Sequence, residues 1–403
     1  LFHPIAAMNL FTEHYIQKNV VYPPFISEPP QPSLAVIVMI PCLNEPEIIR
    51  TLESLWNCSP NESTCEVIVT INNSELSPYR VKDFNRQTLR KLIEWKAQND
   101  RPKLALHPIY ADAIPSKFAG AGMARKIGMD EAIRRFNHIN NPSGIIVSLD
   151  ADCLVSENYL KAIEQEFQDK NCFAATINFS HRIDDLTDEK QKTGIRLYEN
   201  YLHYYKKALD YIGFPDSIYT IGSAFAVRAE AYVKQGGMNR RQAGEDFYFL
   251  NKLTKLGRVN EISEATVFPS GRVSDRVPFG TGAAMSKWMN ADGDLTKTYN
   301  FAAFRAIKSL FDCVDSLFRM NPEEIENLPL PESILDYLST IDFSAKVLEI
   351  NQNSSSLISF RKRFFQFFDA FVIMRFLNIS HQTHYQRQNL EEAIAQLELH
   401  FRK

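Results

Sequence analysis

Between residues 34 and 149 the chain alternates short apolar runs with longer stretches whose apolar positions recur every three or four residues. The run Leu34-Ala35-Val36-Ile37-Val38-Met39-Ile40 is short and rich in β-branched residues, the pattern of a strand covered on both faces of a parallel sheet. Glu66 to Ile71 and Ile145 to Leu149 read the same way, the first stopping at Asn72-Asn73-Ser74 and the second at Asp150. Helical spacing predicts a helix after Asn44, which with Glu47 would form a capping box, and further helices over Val81 to Gln98, Ala121 to Asn137 and Glu157 to Gln168. Strands alternating with helices predict an α/β fold with a doubly wound, mostly parallel sheet. Ligands of such sheets bind in the crevice beyond the carboxyl ends of the strands.

The flanks differ in character. Residues 1–33 end in a proline cluster (Pro23, Pro24, Pro29, Pro30, Pro32) and read as an extended amino-terminal arm. The α/β domain is expected over 34–299. Beyond it, amphipathic patterns such as Phe301 to Met320, Ser333 to Leu338 and Leu390 to Leu397 predict a helical carboxyl-terminal domain over 300–403. Its phenylalanine-rich segment Phe360 to Leu377 has two readings: a helix packed into a core, or one lying on a membrane surface.

Composition narrows the function classes. Hydrophobic residues make up 45% of the 403 and charged residues 23%, enough apolar surface for a large core. The net charge of −3 argues against a dedicated nucleic-acid binder, which needs a cationic excess. The longest apolar run falls far short of the ~20 residues that span a bilayer, and no secretory pattern opens the sequence. Six cysteines without a CxxC pair read as reduced thiols, so a cytoplasmic location is expected, with peripheral contact at the inner face of the membrane as an extension.

Chemistry-bearing residues collect at the strand ends. Asp150 and Asp152 leave the strand 145–149 two positions apart, so in an extended backbone both carboxylates face one way. Such a pair suits magnesium or manganese shared with phosphate oxygens, or else merely caps the next helix. Glu245-Asp246 follows Gly244 and opens a helix; the acids either answer the helix dipole or supply a general base. Lys117 and Arg125 flank a glycine-containing helix entry suited to an anion, although Arg125 stands where a dinucleotide fingerprint needs its third glycine. Arg272 and Arg276 lie in a Gly/Ser-containing loop where guanidinium forks could hold a diphosphate or simply meet solvent.

Taken in order, these pieces resemble family 2 of the inverting glycosyltransferases, of the GT-A (Rossmann-like) fold. The resemblance rests on Pro41-Cys42-Leu43-Asn44-Glu45 after the first strand, Ala124-Arg125-Lys126-Ile127-Gly128, the Asp-x-Asp triplet Asp150-Ala151-Asp152, the segment Gly222 to Arg228, and Gly236-Gly237 followed by Glu245-Asp246. It covers roughly residues 34 to 275. It implies that a nucleotide-diphosphate sugar is the donor, UDP-linked in preference to GDP-linked, and that a hydroxyl is the acceptor in glycan or glycolipid synthesis. It also implies that Pro41, Asn44 and Glu45 line the nucleotide pocket, that Lys117 and Arg125 approach the base or phosphates, that Asp150 and Asp152 hold Mn2+ or Mg2+, and that Asp246 is the catalytic base.

The chain departs from the family at Asn72-Asn73-Ser74, where many members carry Asp-Asp-Gly-Ser; Asn73 offers the base hydrogen bonds without charge. The Gln-x-x-Arg-Trp motif of the processive branch does not occur. Two other readings stand beside the transferase: a sugar-nucleotide-forming nucleotidyltransferase, disfavoured because Pro41 to Glu45 contains no glycine, and a non-catalytic sugar-nucleotide or glycan-binding subunit.

Overall fold

The computed structural model describes residues 12–59, 62–274 and 280–401. In chain order the elements are α1 (Glu13–Asn19), β1 (Leu34–Cys42), α2 (Ile48–Trp56), β2 (Thr64–Ser74), α3 (Tyr79–Asn99), β3 (Leu104–Ile114), α4 (Ala121–His138), β4 (Ile145–Ser148), β5 (Leu154–Val155), α5 (Tyr159–Glu166), β6 (Ala174–Phe179) and α6 (Glu189–Tyr211). There follow β7 (Phe225–Arg228), α7 (Ala229–Lys234), α8 (Glu245–Thr254), β8 (Asn260–Phe268), α9 (Thr281–Met289), β9 (Lys297–Thr298), α10 (Phe301–Asp312), α11 (Pro322–Glu326), α12 (Glu332–Ser339), α13 (Phe343–Gln352), α14 (Leu357–Phe367), α15 (Ala370–Thr383), β10 (Gln388–Asn389) and α16 (Leu390–Glu398).

Eight strands form one sheet in the order β3-β2-β1-β4-β7-β6-β8-β5. The first four are parallel throughout, so the carboxyl ends of β1, β2, β3 and β4 share one edge. β7 runs antiparallel to both β4 and β6, which brings the residues before it to that same edge. β6 is parallel to β8, and β5 pairs antiparallel with the end of β8, Leu154 opposite Phe268. The α/β class with helices after the sheet is the one expected from the sequence. β1 is buried along nearly its whole length, as its unbroken apolar run requires.

Packing divides the described residues into two compact units, one built from the chain up to Leu186 with Thr220–Ala283, the other from Thr187–Tyr219 with Ala284 onward. The change of sequence character near residue 300 is therefore not where packing divides the chain, because α6 belongs with the later helices. In that second unit α6 contacts α10 and α16, and the Tyr204 hydroxyl donates to the Tyr299 carbonyl at 3.0 Å.

Four local expectations are corrected. The amino-terminal arm is not wholly extended, since α1 forms within it. Its Tyr15 hydroxyl donates to Asp130 on α4 at 2.6 Å, and the backbone N–H of Ile26 donates to Glu131 at 3.1 Å. Asn44 does not cap α2: it sits at φ +50°, a left-handed turn that asparagine tolerates, and Glu47 takes the cap position. Phe360 to Leu377 is two helices broken at Phe368-Asp369, where the Asp369 carboxylate accepts from the N–H groups of Phe371 and Val372. Its phenylalanines Phe360, Phe364, Phe365, Phe368 and Phe376 are core, not a membrane face. Finally, β4 stops at Ser148, and Asp150 to Cys153 form a turn closed by Cys153 N–H to Asp150 carbonyl at 3.1 Å, so the two aspartates do not share the face of an extended strand. No helix among the described residues is long and apolar enough to cross a membrane.

Candidate active site

The strand edge described above gathers its charges around one guanidinium. Arg125, in the second turn of α4 and almost fully buried, forms ion pairs with Asp150 after β4 and Glu245 at the start of α8, and its Nε donates to Ser148 Oγ at 3.2 Å. Ser148 Oγ in turn donates to the Gly222 carbonyl at 2.7 Å, fixing the segment before β7 against β4. Close approach of backbone makes the cluster possible. A Cβ on Gly222 would lie 2.7 Å from both Arg125 Nη2 and Asp246 Oδ2, so the missing side chain leaves room for both charges. A Cβ on Gly122 would meet Glu245 at 3.0 Å, so the first turn of α4 can lie against the loop that carries the acids.

A second knot adjoins Asp152. Arg272, in the loop after β8, forms a forked ion pair with Glu45 and donates to Asp152 Oδ2 at 3.1 Å. Arg182, in the loop after β6, donates from Nη2 to the Asp152 carbonyl at 3.1 Å and to Glu47 Oε2 at 3.0 Å. Two arginines from separate loops, after β6 and after β8, thus hold this one aspartate, by its backbone and by its carboxylate.

Burial sets the electrostatics. It pushes the carboxyl of Asp246 above its ordinary value, the nearby Arg125 offsetting this only in part, and it raises Glu245 in the same way. Burial would lower Arg125, but Asp150, Glu245 and Asp246 together hold it above its ordinary value. One cation facing three carboxylates leaves negative charge in excess, so proton uptake by an acid of the cluster is favoured. Arg272 is likewise held up, against burial, by Glu45 and Asp152.

The metal expectation has a partial fit. Asp150 and Asp152 are oxygen donors with side chains 36% and 24% exposed, the type of ligand that a hard divalent cation shares with phosphate and water. Among the described residues no three His, Cys, Asp or Glu side chains gather as a complete cage. Each of the two is instead held by an arginine, Asp150 by Arg125 and Asp152 by Arg272.

The other sequence candidates fall as follows. Pro41 pairs with Thr70 within the sheet. Asn44 donates its backbone N–H to the Asn85 side chain at 2.8 Å, and Glu45 is buried beneath Arg272. Asn73 is fully buried, its amide donating to Tyr110 at 2.7 Å and accepting from Asn85 at 2.8 Å, so its side chain is not presented to a ligand. Lys117 is exposed, its Nζ 4.9 Å from the Phe118 ring centroid. Arg276 lies outside the described residues. Arg228, the end of the segment Gly222 to Arg228, turns inward and donates to the carbonyls of Cys172, Ser143, Phe167 and Asp169 at 2.7–3.0 Å. Sequence reasoning missed Ser148 and Arg182 as parts of the site, and it gave Glu245 no role apart from the Glu245-Asp246 pair. Neither Ser148, inside an apolar run, nor Arg182 has a local signal.

No family model and no curated protein sequence matches the chain. In fold it is similar to TarS 1-349 of S. aureus in complex with UDP-GlcNAc, with 14% identity, 76% of this chain and 70% of that chain covered, and a TM-score of 0.42. It is also similar to the mannosyltransferase PcManGT of Pyrobaculum calidifontis in complex with GDP-Man and Mn2+, with 15% identity, 94% and 96% covered, and a TM-score of 0.37.

Proposed function

We propose that this chain is an inverting glycosyltransferase of the GT-A type, moving one sugar from a nucleoside-diphosphate donor to an acceptor hydroxyl with Asp246 as general base. The observation that carries the reading is the shared guanidinium: Arg125 ties the Asp-x-Asp turn to the Glu245-Asp246 helix start, two motifs far apart in the chain, at the edge of the sheet where the carboxyl ends of its parallel strands lie.

The residues have a division of labour in this reading. Asp246 accepts the proton of the attacking hydroxyl, and its raised affinity for protons makes it a better base than a solvated aspartate. Arg125 offsets part of the burial that raises Asp246 and fixes Asp150, while the absent side chain of Gly222 leaves room for both charges. Arg272, which pairs with Glu45 and Asp152, would turn its fork to a phosphate of the donor. Asp150 and Asp152 would hold a divalent cation, Mn2+ or Mg2+, whose chemistry is to offset charge on the leaving diphosphate. A single in-line displacement inverts the anomeric carbon.

Incubation with UDP- and GDP-sugars, with and without manganese, tests this. Metal-dependent release of the nucleoside diphosphate is the expected result. Pyrophosphate chemistry with a nucleoside triphosphate would replace the reading by the nucleotidyltransferase, and binding without release by the non-catalytic subunit.

A further inference from the structure

Helix α3 carries six cations, Arg80, Lys82, Arg86, Arg90, Lys91 and Lys96, against Asp83 and Glu94, in a chain whose net charge is −3. Its inner face is Asn85, Thr88 and Leu92, all buried. Arg80, Arg86, Arg90 and Lys91 are exposed on the outer side. Large apolar side chains stand among these cations: Leu76 and Tyr79 are 75% and 77% exposed, and Ile93 is 52% exposed. Tyr79, Arg86, Arg90 and Ile93 recur at helical spacing and fall on one stripe. α3 begins just beyond the carboxyl end of β2, the sheet edge that carries the candidate site.

We propose that the outer face of α3 docks the protein on an anionic lipid surface, which sets the mouth of the site beside an acceptor hydroxyl borne by that surface. The docking stands by itself; the acceptor class rests on the transferase reading. Charge complementarity selects an anionic partner. A soluble polyanion would engage the arginines and leave Leu76, Tyr79 and Ile93 in water, whereas a lipid interface takes up cations at the headgroups and apolar side chains just beneath. Each basic residue near an anionic leaflet strengthens binding roughly fivefold. Phe360, Phe364, Phe365 and Phe376 of α14 and α15 are buried in a core and supply no such face.

The test is sedimentation of the full chain with vesicles of phosphatidylcholine alone or mixed with phosphatidylglycerol, with heparin as a soluble polyanion. Binding is expected only to the anionic vesicles, with loss at high salt. The exposed triple variant R80E/R90E/K91E should lower it by roughly a hundredfold or more, and Leu76→Ser with Tyr79→Ser should lower it severalfold. Absence of binding to anionic vesicles, equal binding to neutral ones, or an unaffected triple variant would overturn the proposal. Heparin binding through the same residues without vesicle binding would replace it by a polyanion site. Diphosphate release measured in parallel with a water-soluble acceptor should be equal in the wild type and the triple variant. Absence of wild-type binding to anionic vesicles with release intact sinks the docking alone, and vesicle binding without release from either protein sinks the transferase alone.

Discussion

Arg125 forms an ion pair with Asp150, 25 positions further along the chain, while its other terminal nitrogen holds Glu245, 120 positions away. Gly222 is the empty place beside them. The atoms that an added methyl group would press are the tips of Arg125 and Asp246, and Arg125 is buried and pinned by two ion pairs, so it shifts only by straining them. Gly222→Ala is therefore expected to cost about 1–3 kcal/mol, the usual cost of overpacking an interior. Because the moved tips are those of Arg125 and Asp246, turnover should fall by about tenfold to a hundredfold. Thermal melts beside steady-state kinetics check both halves.

The acid cluster gives activity and stability opposite pH slopes. Asp246 must be ionised to act as a base, so the acid limb of kcat/KM should lie above the 3.8 of an ordinary aspartate. The folded values of Asp246 and Glu245 are raised, so their contribution to stability is present below the unfolded values of 3.8 and 4.5 and is lost as pH rises through the folded ones. Melting curves of the wild type and of Asp246→Asn/Glu245→Gln across that range should differ in slope, the wild type losing more stability as pH rises.

Arg228 is expected to act on stability and not on donor binding. Its guanidinium donates to four main-chain carbonyls, and Arg228→Met removes that charged donor, the Asp169 carbonyl keeping a second partner in the Cys172 N–H. A loss of about 3 kcal/mol follows from hydrogen bonds to a charged donor. Denaturant unfolding measures it, and the dissociation constant for UDP below the transition should be unchanged.

His381, in the second unit, is a neutral ring with an assigned tautomer: Nδ1–H donates to the Leu377 carbonyl at 2.7 Å and Nε2 accepts from the Asn300 N–H at 2.8 Å. Burial lowers its proton affinity below the ordinary 6.5. Its contribution to stability is thus complete above 6.5 and is lost as pH falls from there toward the folded value. Melts of the wild type and His381→Asn between neutral and mildly acidic pH should converge as acid is added.

Much of the sheet was legible because β1, β2 and β4 are buried on both faces and carry continuous apolar runs. β3 was not, since His107 and Pro108 interrupt it; proline is tolerated there because β3 is an edge strand, pairing with β2 alone. The reversal at β7 leaves no trace in periodicity. Asp150, Asp152, Asp246, Arg125 and Arg272 were named from local pattern, yet which arginine meets which acid depends on contacts 25 to 120 residues apart that no local window contains. Asn73 depends on the same kind of contact: only the fold shows that Asn85 and Tyr110 meet its amide.

Transfer by Asp246→Asn against donor binding by the same protein is the most direct measurement. The amide keeps the shape and the place beside Arg125 and removes the base. UDP-sugar binding by calorimetry should stay within a few-fold of wild type, while single-turnover transfer should drop by about 10²- to 10⁴-fold, the contribution of a general base. Wild-type transfer from the Asp246→Asn protein would contradict the assignment.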